Sequence, residues 1–421
     1  MRSGTGSHLV VVLALCLPGM AAVAAEDPSA AALANFRERQ AALQALGDRG
    51  AQQKALTDGV FRGSFEPLDP ACELDSDGDG LPDCVETHTG VFVDLTDTGT
   101  DPRAADTDGD GLSDGDEVLG TLDGLDLPAL GANPLRRDLL VEYDWFDDEL
   151  ECGAHSHAPT AAVLQRVAAA FAAAPLVNPD GSTGIHLIQD VGQGGVFDGG
   201  GRIEGHSAQL PGALDATFQA IKDGHFAANR RGYFRYVLMP HRYNGGSASS
   251  GYAEVVGDDA IVSLYCLATE DNVARTILHE LGHNLGLHHG GFEACNGKPN
   301  YNSLMNYRYQ FTGLDSSCTA RGAHDDGLSS GERLVLDENA IDEFQGVCGN
   351  PPIDWNGNGT LETGIARNLR PGFEAECGSS LRRLEDFDDW ANITLLGLRD
   401  AAGMLKSIKQ ETGCAGAPVP D

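Results

Sequence analysis

The densest chemistry in the chain lies in one run of residues, His279-Glu280-Leu281-Gly282-His283-Asn284-Leu285-Gly286-Leu287-His288-His289-Gly290. On a helix, side chains four apart share a face, so His279 and His283 can present two imidazoles to one ion. Glu280 is turned about 100° from His279, which sets its carboxylate beside such an ion rather than on it. That is where a general base for a metal-activated water has to stand. A third protein ligand must come from beyond the helix. Were the helix unbroken, His289 would lie about 9 Å further along the axis than His283, whereas zinc ligands sit about 2 Å from the metal. Gly286 relieves the conflict, because glycine accepts the left-handed conformation that ends a helix and turns the chain. The chain can then fold back and bring a histidine, His288 or His289, onto the ion.

A second constellation is acidic. Between Glu73 and Asp126 there are 17 acidic residues and one basic residue, Arg103, so this stretch holds −16 of the net −35. Its acids follow a pattern. Asp75-Ser76-Asp77-Gly78-Asp79-Gly80 is followed by Glu86, and Asp106-Thr107-Asp108-Gly109-Asp110-Gly111 by Glu117, 31 positions later. Both match a twelve-position oxygen-ligand loop for calcium: acids at positions 1, 3 and 5, glycine at 6 for the sharp turn, glutamate at 12. The expected ligands are Asp75, Asp77, Asp79, the Leu81 carbonyl and Glu86, then Asp106, Asp108, Asp110, the Leu112 carbonyl and Glu117. A third stretch, Asp354-Trp355-Asn356-Gly357-Asn358-Gly359, starts the same way but has Ile365 where the glutamate belongs. Calcium binding there is left open.

The segment HELGHNLGLHH resembles the extended zinc motif of the metzincin metallopeptidases. The resemblance implies His279, His283 and His289 as zinc ligands, His289 being favoured over His288 by the spacing, and Glu280 as the catalytic base. That family expects a methionine turn beneath the metal, and Ser303-Leu304-Met305-Asn306-Tyr307 is similar to it. Met305 would then support the site, and Tyr307 would stabilise the reacting oxyanion, as a tyrosine does in some metzincin subfamilies. The resemblance spans roughly residues 135–375, is specific at these two motifs, and is nearer to exported bacterial members than to animal ones. The DxDGDGL repeats resemble thrombospondin type 3-like calcium repeats.

Elements to position these groups are legible around them. Strand patterns occur at Leu139–Tyr143, Gly184–Ile188, Phe234–Met239 and Ala260–Leu264, with a possible edge strand at Tyr252–Val256. By the resemblance, that edge would pair with an extended substrate backbone. Helical patterns occur at Thr160–Ala174, Ala213–Lys222, Asp271–Leu287 and Leu395–Gln410, and the six glycines of Gly192–Gly201 predict a loop. Strands alternating with helices predict an α/β fold. The expected architecture is a metzincin-like domain, with a twisted, mostly parallel sheet and a long active-site helix, preceded by the acidic calcium-loop segment.

Arg2, the apolar run Leu9–Leu17 and the small residues Ala22-Val23-Ala24-Ala25 read as a secretory signal peptide. The expected organisation is signal peptide 1–25, helical segment or propeptide 26–69, calcium segment 70–133, metallopeptidase domain 134–378 and helical tail 379–421. Of the ten cysteines, Cys16 falls in the signal peptide and the other nine belong to an oxidising compartment. Proximity suggests Cys72 with Cys84, Cys295 with Cys318 and Cys348 with Cys377, leaving Cys152, Cys266 and Cys414. A sequence pI near 4.5 argues against nucleic acid and against docking on anionic lipid. No later stretch suits a membrane anchor. The expectation is a secreted, calcium-stabilised zinc endopeptidase acting on protein or peptide substrates. The alternatives are a calcium-dependent binding protein with a vestigial zinc domain, or a zinc amidase acting on cell-wall amides.

Overall fold

The structure, a computed structural model, describes Cys72 and residues 74–149, 151–245 and 249–395. The signal sequence, the 26–69 segment, Cys414 and all but the first residue of the helix expected at Leu395–Gln410 lie outside the described residues. The acidic segment carries α1 (Asp114–Leu119) and α2 (Leu127–Leu130). Then come β1 (Asp138–Trp145), a short hairpin of β2 (Asp147–Asp148) and β3 (His155–Ser156), α3 (Ala161–Ala172), β4 (His186–Asp190) and β5 (Gly201–Arg202). These are followed by α4 (Ala216–His225), β6 (Phe234–Met239), β7 (Gly251–Ala253), β8 (Asp259–Val262), α5 (Glu270–Asn284) and α6 (Tyr307–Gln310).

One sheet runs in the order β4-β1-β6-β8-β7, with β5 pairing the end of β1 beyond β4. All its pairings are parallel except β7 on β8. The chain is therefore α/β with a mostly parallel sheet. Parallel strands covered on both faces read as unbroken apolar runs, and β6 (Phe-Arg-Tyr-Val-Leu-Met) is buried at every position. One face packs on α3 and α5 through Val141, Val167, Phe171, Val237, Ile277 and Leu281. The other face packs on α4 and the acidic segment: Leu140, Ile188, Tyr236 and Ile261 meet Phe218 and Ile221, with Leu112, Leu125, Leu127 and Leu130.

Three expectations need correcting. The edge strand covers only Gly251–Ala253, because the chain turns at once, with Val256 and Gly257 donating to the carbonyls of His283 and Asn284 at the end of α5. The glycine-rich loop ends in β5 rather than continuing as a loop. A Cβ at Gly200 would lie 2.5 Å from the Asp190 carbonyl oxygen and 2.6 Å from that of Tyr143, so glycine lets the chain reach β1. Among the described residues the disulfides are Cys72–Cys84, as expected, and Cys152–Cys266, Cys295–Cys377 and Cys318–Cys348 in place of the pairings suggested by proximity. Chain proximity measures only the entropy of closing a loop, whereas the fold sets the Cα atoms of Cys295 and Cys377 4.4 Å apart. The four disulfides among the described residues suit an oxidising, extracellular environment. Among the described residues no helix is long and apolar enough to cross a membrane.

Candidate metal centre

Helix α5 starts under a Thr269 cap, whose hydroxyl accepts from the Asn272 N–H, with Glu270 and Asp271 in the first turn. From Ala274 to Asn284 it is buried on every side. It ends where the sequence requires. The Gly286 N–H donates to the His283 carbonyl and the Leu287 N–H to that of Gly282, and Gly286 has φ +97°. The reversal brings the His289 ring centroid 5.3 Å from that of His279 and 4.9 Å from that of His283. The three imidazoles each offer a nitrogen within 4.8 Å of the others. His288 is not in this group; it closes a turn with Gly291.

The tautomers show whether a cation fits. His279 Nδ1 lies 2.8 Å from the Leu304 carbonyl oxygen, and His283 Nδ1 lies 2.7 Å from that of Leu287. A carbonyl only accepts, so both Nδ1 atoms carry the proton and both Nε2 atoms present lone pairs. Those two Nε2 atoms are 3.2 Å apart. Facing lone pairs repel, and a cation between them removes the conflict. Protons do not fill the gap: burial lowers the His279 pKa to about 4 and drives His283 and His289 well below their usual value. Each ring with a carbonyl on its far nitrogen has the orientation typical of a metal ligand. The residues fit a divalent metal with nitrogen preference.

Glu280 is 1% exposed, and both of its carboxylate oxygens are buried without a hydrogen-bond partner among the described residues. Burial alone raises its pKa well above the carboxylate range. It faces the sheet edge, since a Cβ on Gly251 of β7 would collide with its Oε1. Beneath the helix lies Met305, fully buried, and a Cβ on Gly282 would collide with its Sδ. Tyr307 opens α6, with its ring centroid 4.4 Å from that of His289 and 5.6 Å from that of His279. Its backbone is pinned by an N–H bond to Asn296 Oδ1. The structure thus gathers all six residues singled out around the zinc motif.

The acidic repeats fold alike. Asp75 accepts from the Gly78 and Gly80 N–H groups, and Asp106 from those of Gly109 and Gly111. Asp79 and Asp110 accept from the Leu81 and Leu112 N–H groups, while both leucine side chains are buried. Asp75, Asp77 and Asp79 form one potential ligand group, and Asp106, Asp108 and Asp110 another. Glu86 groups with Asp79 and with Asp114, which comes from the second repeat. Asp79 also accepts from the Gly115 N–H, so the repeats interlock. Asp77 Oδ2, Glu86 Oε2, Asp108 Oδ2 and both Glu117 oxygens are buried without a hydrogen-bond partner among the described residues. Burial, reinforced by neighbouring carboxylates, pushes Asp79 up to about 8 and Glu86 to about 9, and Asp110 and Glu117 well up as well. So many buried, unpartnered oxygens fit hard cations. At Asp354 the carboxylate accepts from the Gly357 and Gly359 N–H groups, as in the repeats, but Ile365 pairs with Ile341 as a strand residue.

Asp114 was not legible as a ligand from loop positions, although a signal existed. It occupies position 9, where Asp83 stands in the first repeat, and both accept from residue 2 of their loop, Ser76 or Thr107. A second group outside the sequence expectations joins Asp148, His155, His157 and His241. Its signal was the His155-Ser156-His157 alternation, which gives no hint of His241.

No known protein family, no curated protein and no solved structure matches the chain. The site's geometry therefore carries the functional reading.

Proposed function

We propose that the chain is a secreted, metzincin-like zinc endopeptidase stabilised by calcium. The observation that carries this reading is the set of three converging imidazoles, two with facing Nε2 lone pairs, beside a buried carboxylate without a hydrogen-bond partner. His279, His283 and His289 would hold zinc. When bound, zinc supplies a Lewis acid for a carbonyl and acidifies a water. Glu280 then handles the proton: its carboxylate takes one from the attacking water and returns it to the leaving amide nitrogen. Tyr307, held over the His289 ring, donates to the substrate oxygen that gains charge. Gly251 brings the β7 backbone against Glu280, so an extended peptide added along that sheet edge would pass the base. Asp75, Asp77, Asp79, Glu86, Asp106, Asp108, Asp110 and Glu117, with the Leu81 and Leu112 carbonyls, would hold calcium, and Asp114 joins them.

The test is cleavage of casein by the zinc-loaded protein, with the products sequenced and a chelated control. Peptide-bond cleavage that disappears on chelation and returns with zinc is the expected result. Cleavage unaffected by chelation, or an intact substrate with zinc bound, would overturn the proposal.

A further inference from the structure

The carboxyl ends of β1 and β6 lie side by side, with Asp144 opposite Leu238 and Trp145 opposite Met239. Just past them the chain assembles four side chains from separate segments: Asp148 at the end of β2, His155 and His157 around β3, and His241 after β6. One ligand atom of each lies within 4.8 Å of the other three. Asp148, His157 and His241 are buried and His155 is half-buried. None of these residues has a part in the peptidase reading.

Hydrogen bonding alone does not explain the arrangement. His155 Nδ1 is 2.7 Å from the Gly153 carbonyl oxygen, so it carries the proton and leaves Nε2 a lone pair. That Nε2 is buried without a hydrogen-bond partner among the described residues. His241 Nε2 faces the Glu151 carboxylate at 3.4 Å, which turns Nδ1 inward. There, Nδ1 meets Asp148 Oδ2 at 2.8 Å and His157 Nε2 at 3.1 Å. Two of the three rings thus engage an oxygen acceptor with the outer nitrogen and aim the inner one at a common point. That is how proteins orient metal-binding histidines. Ligands about 2.05 Å from a tetrahedral zinc stand about 3.3 Å from one another, close to the separations seen here.

We propose that Asp148, His155, His157 and His241 form a second zinc site, distinct from the one on α5. Three imidazoles and a carboxylate complete a tetrahedron without an open position, so the site is structural rather than catalytic. The neighbouring cysteines, Cys152 and Cys266, are joined in a disulfide and contribute no thiolate ligand. This disulfide and the Ser263 hydroxyl, which donates to the His241 carbonyl, tie the site to the segment leading into α5. The metal would fasten the loop between β1 and α3 to the one between β6 and β7.

The test begins by removing the first site. The His279→Ala/His283→Ala protein is loaded with cobalt(II) in saturating calcium, so that the acidic loops are occupied. It is expected to bind about one equivalent with the strong visible absorption of tetrahedral cobalt, displaced by zinc, while the wild type holds about two zinc ions. Adding His157→Ala and His241→Ala should abolish that absorption. No bound cobalt, a weak octahedral spectrum, or a tetrahedral spectrum that survives the added substitutions would each overturn the proposal. Because the first variant leaves all four ligands intact, absence of tetrahedral cobalt there overturns the proposal whether or not the second variant folds. The second is scored only where its far-ultraviolet circular dichroism matches that of the first. Neither readout depends on peptidase activity.

Discussion

The histidine centre on α5 and the acidic repeats both collect potential metal ligands, but they solve opposite electrostatic problems. Imidazoles are neutral when deprotonated, so His279 and His283 can be buried at little cost and steered by single carbonyls. Carboxylates are charged when ready to bind. Packed together at Asp79, Glu86 and Asp114, they must either take up protons or receive a cation. On the proposed reading, a metal would complete a histidine centre that is already shaped, whereas it would decide whether the acidic repeats fold at neutral pH.

The sharpest way to break this contrast is to strip calcium and vary pH. A carboxyl whose folded pKa exceeds its unfolded value binds more protons in the folded state, so its contribution is present at low pH and lost as pH rises. With Asp79 raised to about 8 and Glu86 to about 9, that loss spans roughly pH 4 to 9 in chelator. Limited proteolysis of the 74–126 region should accelerate severely across this window, and saturating calcium should remove the trend. A flat or inverted trend in chelator would end the comparison.

On the histidine side, Glu280→Gln should lower casein cleavage by about 10²–10⁴-fold while leaving the bound zinc unchanged. Equal losses of zinc and activity would instead make Glu280 a structural residue. Tyr307→Phe is expected to cost about 10²-fold in kcat with little change in KM, the pattern for a donor that acts on developing charge. An unchanged kcat would reduce Tyr307 to a packing residue. The smallest effect is expected from Gly282→Ala, which presses a methyl onto Met305 and should destabilise the domain by about 1–3 kcal/mol in thermal unfolding. Calcium binding should not change.

The parts legible in the sequence were those governed by local periodicity. Phe234–Met239 forms the strand expected there, and the helix carrying His279 stops at the Gly286 turn. Asp75 and Asp106 fold their loops as the spacing required, because one carboxylate and the next few N–H groups determine that geometry. What stayed hidden depends on tertiary approach. Cys295 passes over Cys318 for Cys377, and His241 joins His155 and His157 only because β6 lies beside β1. β5 escaped notice because glycines that signal a loop also permit close backbone approach.

The anchoring of the second repeat limits modularity. Asp110 accepts from the Asp138 N–H at the start of β1, and Leu112, Leu125, Leu127 and Leu130 help to roof one face of the sheet. The repeats therefore cannot be grafted elsewhere or trimmed away like beads on a string. A shortened chain beginning at Pro134 would lose four aliphatic side chains from that roof and bare a sticky surface, so it should aggregate more readily than the longer chain.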